Sequence, residues 1–385
     1  MTRREFVATS ALAAGGLATA CAHPAAGLLS GGELPLYVGT YTEGKRSQGV
    51  HLLRMRRDDG TLRVAGAYDV GPEPSFLALH PNGRVLYAVN EVADFGGRAS
   101  GAVGAFAIDR SGALTALGPR RATGGGAPCY ASVDRTGRAL LVANYTGGNV
   151  ASFPIDEQGA IGDATAVRQH EGTGPRADRQ ERPHAHCILP DPTNRWAIAA
   201  DLGADRLMVY RLDERTASLS PSSAVEARRG AGPRHLAWSA DGRTLYVANE
   251  LDLTLGVWRW DATAGTLARV ETVVLLPKAA PEGTTAADLH LSPSGRHLYA
   301  SVRGVDQLVV FSLEPETGQA SRVQQIASSG RWPRNFAIDP SGRFLLAANQ
   351  RSNSIAVFKI DARTGLLEPT GHTIEVPAPV CVRFA

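Results

Sequence analysis

"PRHLAWSADGRTLYVANE", residues 233–250, reads as two strands joined by a tight turn. An alternating run leads into Asp241-Gly242-Arg243, and a second run closes on Ala248-Asn249-Glu250. Asp and Gly supply the acceptor and the unusual backbone that such a reversal needs. The same grammar returns in "PSFLALHPNGRVLYAVNE" from Pro74, "PCYASVDRTGRALLVANY" from Pro128 and "PHAHCILPDPTNRWAIAADL" from Pro183. It returns again in "AADLHLSPSGRHLYASVR" from Ala286 and "PRNFAIDPSGRFLLAANQ" from Pro333. Successive units begin 47 to 55 residues apart, a period that signals propeller blades or a solenoid. Each strand pair is followed by a polar stretch, a third run such as "NSIAVFKID" (353–361) and a weaker fourth. Four strands per unit make a propeller blade.

The chain ends complete the count. "LYVGTY" (36–41) reads as a second strand whose first is missing, and "PVCVRF" (379–384) reads as that missing strand. Joined, they make a seventh blade and close the ring without an exposed edge. The expected fold is therefore all-β: a seven-bladed propeller with four-stranded antiparallel blades, its termini sharing one blade. Two or three domains would be ordinary for 385 residues, but a repeat grows around an axis instead of thickening one core. The 42 glycines and 23 prolines suit many short strands and turns. A net charge of +3, with no Lys/Arg-rich run, gives no reason to expect a nucleic-acid partner. A monomer is expected.

The amino terminus is a separate object. "TRREFVATSALAAGGLATACAHP" (2–24) carries Arg3 and Arg4, then Phe6, then a short apolar stretch ending in small residues. This is a twin-arginine export signal by pattern, too short to span a bilayer permanently. The expected division is 1–33 for signal and linker and 34–385 for the propeller, with the periplasm as destination. Cys21 follows Leu17-Ala18-Thr19-Ala20, a lipoprotein-like box whose Leu sits one place early. Membrane contact is thus expected only through a lipid anchor at Cys21, in competition with cleavage after Ala20 or Ala22. Cys129, Cys187 and Cys381 fall in apolar runs and read as small buried hydrophobes, since an odd set makes a poor disulfide framework.

The blade grammar also says where chemistry can collect. First and second strands run antiparallel, so the start of one and the end of the other share a face. Second-strand ends contribute Tyr41, Glu91, Tyr145, Leu202, Glu250, Arg303 and Gln350. One place earlier sit Thr40, Asn90, Asn144, Asp201, Asn249, Val302 and Asn349. First-strand starts add His184, His186, Arg234, His235, Asp288, Arg334 and Asn335. The Asn ring has a second reading as turn caps. Glu250, Arg234 and Arg303 break the repeat with charge, which caps do not require. His184 and His186, two apart on a strand, would face the same way. They suit acid/base work, with a metal site using Asp201 or Glu250, or plain backbone hydrogen bonding, as the other readings.

These units, with "PHAH…DPTNRWAIAADLGADRLMVYRLD" and "RNFAIDPSGRFLLAANQRSNSIAVFKID", resemble the lactonase family of seven-bladed propellers. That family includes bacterial 6-phosphogluconolactonase and fungal carboxy-muconate cyclase. The resemblance runs from about Leu36 to Phe384. In the cyclase branch a histidine, two arginines and a glutamate have been proposed as the active site; their matches here are His186, Arg234, Glu250 and Arg303. The resemblance implies hydrolysis of a small-molecule lactone, a carboxylic ester, with no cofactor and no metal. His186 is the expected general base, oriented by Glu250, while Arg234 and Arg303 hold a substrate anion and the oxyanion. His184, His235, Glu91, Asn249 and Arg334 are expected to complete the substrate-binding ring. All are expected to lie outside the folding core. No Gly-x-Ser-x-Gly elbow occurs, which leaves a serine nucleophile unsupported. Export argues against a phosphorylated sugar lactone as the literal substrate. The alternatives are a non-catalytic envelope binding module and a Ca²⁺-dependent lactonase drawing on Glu91 and Asp201.

The signal reading is tested by export. Residues 1 to about 22 should be missing from the exported form, and Arg3/Arg4→Lys/Lys should hold the protein in the cytoplasm. Export that survives this change removes the reading. Cys21→Ala should release the protein from membrane fractions if the anchor exists; unchanged fractionation excludes it.

Overall fold

One side chain builds the turn in several units. Asp134 Oδ1 accepts the amides of Arg138 and Ala139 at 2.6 and 2.7 Å, with Gly137 between at φ +76°. Asp339 does the same for Arg343 and Phe344, both at 2.7 Å, around Gly342 at φ +72°. A left-handed residue beside a short acceptor reverses the chain tightly enough for the flanking runs to pair.

The computed structural model describes residues 32–44 and 47–385. The twin-arginine segment and Cys21 lie outside these residues. Among the described residues the strands form seven antiparallel sheets, as the repeats imply. Second strands such as Val85–Asn90, Ala139–Asn144, Trp196–Asp201 and Phe344–Asn349 are buried at every position. A neighbouring blade covers each of their faces, which is why their sequences are nearly continuous apolar runs rather than alternating ones. At the rim the pattern relaxes: Ala320–Ala327 alternates between exposed and half-buried. In the second blade, Leu114–Ala116 and Arg121–Ala122 both pair with Ala102–Ile108, so the outermost strand is interrupted.

Four tyrosines staple blade to blade. The hydroxyls of Tyr37, Tyr87, Tyr246 and Tyr299 donate to the carbonyls of Gly112, Gly159, Gly318 and Gly365 at 2.7–2.9 Å. Each ring is fully or almost fully buried and reaches a hairpin turn of the next blade, combining aromatic burial with a satisfied hydroxyl. Cys129, Cys187 and Cys381 are free and buried, as their apolar surroundings predict. Among the described residues no helix is long and apolar enough to cross a membrane.

The ring closes as the termini suggest. Pro379–Phe384 pairs antiparallel with Glu33–Thr40, from Leu36↔Phe384 to Thr40↔Pro379. Val382 and Cys381 are buried in this seam, and the Val382 amide donates to Asn335 Oδ1 at 2.7 Å. Deleting residues 377–385 should therefore unpair two sheet edges and empty part of the core. The expected result is insolubility or a cooperative loss of structure, read by solubility and a thermal melt. A truncated chain that melts like the full one would refute the shared blade.

Candidate active site

The axial end of the inner strand carries a break in register in six of the seven blades. Pairing skips Cys129 between Pro128 and Tyr130, His186 between Ala185 and Cys187, and Arg234 between Pro233 and His235. It skips Arg334 and Val380 in the same way. In the sixth blade Ala287 and Asp288 together stand opposite Ser301. A bulge of this kind interrupts the two-residue alternation and re-aims one side chain. Here it turns Cys129, His186, Arg234, Arg334 and Val380 onto a small axial cavity, about 10 Å³ and large enough for one water molecule.

A second device fixes the partners of these residues. Glu73, Ala127, Gly232, Trp332 and Ala378, each just before a blade-opening proline, take φ of +49°, +52°, +64°, +65° and +40°. Their carbonyls accept the amides of Glu91, Tyr145, Glu250, Gln350 and Tyr41 at 2.7–3.2 Å. These are the residues at the ends of the second strands, now tied to the starts of the first. A left-handed tryptophan is uncommon; here the Trp332 carbonyl is tied by the Gln350 amide at 3.0 Å.

Glu250 is the hub of the charge. It is 3% exposed, and its carboxylate meets Arg179 Nη2 at 2.6 Å, Arg234 Nε at 2.8 Å and Arg303 Nη2 at 2.9 Å. Arg234 and Arg303 also donate to the carbonyls of Ala287 and Ala286 at 2.6 and 2.8 Å. Burial alone would raise the Glu250 carboxyl, but Arg303, Arg234 and Arg179 outweigh it and hold it far below the usual carboxylate range. The expectation that Glu250 orients His186 is therefore corrected: its oxygens are taken by guanidiniums. The expectation that these groups lie outside the core is corrected too, since Arg234 and Arg303 are 2% and 5% exposed. Removing one partner of such a pair costs about 3–5 kcal/mol, because the other charge stays buried.

The histidines separate. His184 precedes the strand Ala185–Pro190 and stacks on Tyr145 with ring centres 4.4 Å apart. Its Nδ1 is 3.0 Å from the Tyr145 carbonyl and its Nε2 3.2 Å from Glu181. His184 and His186 thus do not face together: the bulge at His186 cancels the alternation that would have aligned them. His186 meets the edge of Tyr145 and of His235, with ring centres at 5.6 and 5.2 Å. It lines the cavity with His235, and its Nδ1 is buried with no hydrogen-bond partner among the described residues. Burial, reinforced by Arg234, His235, Arg334 and Arg303, pushes His186 well below its ordinary pKa. Burial and Arg234 push His235 down to about 3. Both imidazoles are neutral at neutral pH.

Among the other expected ligands, Arg334 lines the cavity, half-buried, its guanidinium 5.3 Å over the Tyr41 ring. It has no ion pair within 4 Å among the described residues, unlike Arg234 and Arg303. Glu91 also lines the cavity and accepts the Tyr41 hydroxyl at 2.9 Å. Asn249 does not: its amide donates to Thr254 Oγ1 at 2.9 Å within its own blade. Asn144 likewise donates to the Thr123 carbonyl at 3.0 Å, and Asp201 takes His170 Nδ1 at 2.6 Å. For these positions the turn- and loop-holding reading prevails. Cys129 lies on the cavity wall, but burial raises its thiol well above the ordinary value, which keeps it protonated.

One residue of the site, and one contact of a residue already on the ring, escaped the sequence reading. Arg179 comes from the segment between the third and fourth blades and bridges Glu250 and the Tyr145 hydroxyl, at 2.6 and 3.3 Å. Its signal was the arginine-rich "PRADRQERPHAH" (175–186), in the longest interval between units. Asp288 was placed on the ring, but its contact with His235 depends on a neighbouring blade and has no local signature. Among the described residues no group of three or more His, Cys, Asp or Glu is placed to hold a metal ion. Asp201 and Glu91, the oxygen donors of the Ca²⁺ alternative, are committed to His170 and Tyr41.

The comparisons with known proteins agree with this fold. Residues 35–384 match the family model "Lactonase, 7-bladed beta-propeller". A 6-phosphogluconolactonase of Bacillus subtilis is 33% identical over 349 residues, covering 90% of this chain and 97% of the relative. A 6-phosphogluconolactonase of Formosa agariphila is 32% identical over 78% of this chain and 85% of its own length. The solved periplasmic gluconolactonase of Pseudomonas aeruginosa is 35% identical, with a TM-score of 0.84, covering 92% of this chain and 99% of that one. The chain belongs to the lactonase family of seven-bladed β-propellers.

Proposed function

We propose that the protein is a lactonase, a carboxylic ester hydrolase that opens a sugar lactone at the axial mouth. The observation that carries this reading is the pairing of neutral, buried imidazoles with a surplus of guanidinium around one cavity. Arg234 and Arg334 line the cavity with one carboxylate, Glu91, while Arg179 and Arg303 join Arg234 on Glu250 beside it. Ester hydrolysis needs an activated water, a stabiliser for the tetrahedral oxyanion and a proton for the leaving alkoxide. His186 meets the reacting water on the cavity wall. Arg334, free of an internal carboxylate, donates to oxygens of the lactone and takes the carboxylate of the product. Arg234, braced by Glu250 and the Ala287 carbonyl, is already oriented toward the developing charge, so little reorganisation is needed. Relatives are named 6-phosphogluconolactonase and periplasmic gluconolactonase. The twin-arginine pattern favours the second setting, the periplasm, and a non-phosphorylated sugar lactone.

A panel of lactones, assayed by proton release with the mature protein, tests the activity. His186→Ala should lower kcat, because the reacting water loses one of its contacts. Arg334→Ala should raise KM roughly 10–100-fold, the worth of a charge-assisted hydrogen bond, with a smaller change in kcat. Because burial depresses both imidazoles, the active neutral form persists as pH falls through 6.5. The profile of kcat/KM should stay flat there and fall only on further acidification. An acid limb centred near 6.5, or full activity in His186→Ala, would reject this site. A wild type inert on every lactone would favour a binding module.

A further inference from the structure

His235 is held differently from His186. Its Nδ1 lies 2.6 Å from Asp288 Oδ1. The same carboxylate accepts the Leu289 amide at 2.9 Å on Oδ1, and His290 Nε2 at 2.8 Å and the Phe336 amide at 3.2 Å on Oδ2. Burial alone would raise the Asp288 carboxyl, but His290 and His235 hold it ionised, well below the usual range. An ionised acceptor at Nδ1 fixes the proton there and leaves Nε2 as a bare lone pair. His235 Nε2 is buried and has no hydrogen-bond partner among the described residues. Leaving a buried polar nitrogen unpaired costs about 1–3 kcal/mol, so its retention calls for an explanation. Its side chain shares the one-water cavity with His186, whose Nδ1 is orphaned as well.

We propose that His235, positioned by Asp288, is the base that deprotonates the hydrolytic water in the axial cavity, with His186 as the second contact of that water. This rests on the lactonase reading and names the base within it. As His235 Nε2 takes a proton from the water, the water oxygen bonds to the lactone carbonyl carbon. The carbonyl electron pair moves onto oxygen, beside Arg234. Collapse of this intermediate breaks the ring C–O bond, and the leaving alkoxide takes the proton back from His235 Nε2. The product is a hydroxy acid, which releases its carboxyl proton to solvent, and His235 is neutral again. Asp288 is a positioning residue: it fixes the tautomer and stabilises the transient imidazolium, as a buried carboxylate does for a catalytic histidine.

Two measurements test this on the mature protein. Imidazole ¹⁵N NMR of the wild type at pH 7 should show His235 as the neutral Nδ1–H tautomer; an Nε2–H tautomer or an imidazolium would overturn the proposal without reference to activity. His235→Ala should lower kcat roughly 10²–10⁴-fold with KM within a few-fold. Asp288→Asn, whose amide can donate to Nδ1, should shift His235 toward Nε2–H and lower kcat in the same sense. Wild-type kcat in His235→Ala, on a lactone the wild type hydrolyses, would overturn the assignment and leave the lactonase reading standing. A wild type that hydrolyses no lactone would instead fail the lactonase reading, while the NMR result would still report on the dyad. If either variant does not fold, the wild-type tautomer decides.

Discussion

One skipped residue in each of five inner strands is the constraint on which the site depends. A strand packed between neighbouring blades has no spare side chain: each one enters a blade interface. The bulges at Cys129, His186, Arg234, Arg334 and Val380 release one residue in each of five blades from that arrangement and turn it to the axis. The left-handed residue before the opening proline then ties the neighbouring second-strand end in place. Repetition around the ring converts a local irregularity into a cluster of side chains that are distant in sequence. The β scaffold supplies rigidity, and the irregularity supplies the site.

Electrostatics divide this cluster into two kinds of group. Glu250 gathers three guanidiniums and is shielded by them, so it works as an internal brace for Arg234 and Arg303 rather than as a partner of histidine. Arg334 remains available to an incoming anion. The histidines, buried beside this positive charge, are kept neutral. Positive groups gathered near the cavity suppress protonation of the imidazoles. The ionised Asp288 balances this positive charge locally at His235.

Much of this was legible in the chain, and the exceptions share a cause. The repeats, the Gly-Arg turns and the split blade followed from patterns of fewer than twenty residues, because turn chemistry and burial act locally. Arg234, His186 and Arg334 were found by their place in the repeat. His184 was misplaced because two-residue alternation was assumed across a bulge that the sequence does not announce. Asn249 was assigned to the substrate ring, yet its nearest partner is Thr254, five residues away. The supposed contact of Glu250 with His186 failed because Arg179 arrives from another blade and occupies the carboxylate.

By itself, then, the sequence determined the architecture and the identity of the axial residues, since both are written in short-range periodicity. Tertiary structure alone decided which of those residues touch. The Asp288–His235 pair spans 53 residues, Arg179–Glu250 spans 71, and the ring-closing strands lie at opposite ends of the chain. Such distances close only when seven blades pack around one axis. Protonation follows the same rule: His186 and His235 are neutral because of burial and of charges carried by other blades, and no stretch of sequence contains that environment.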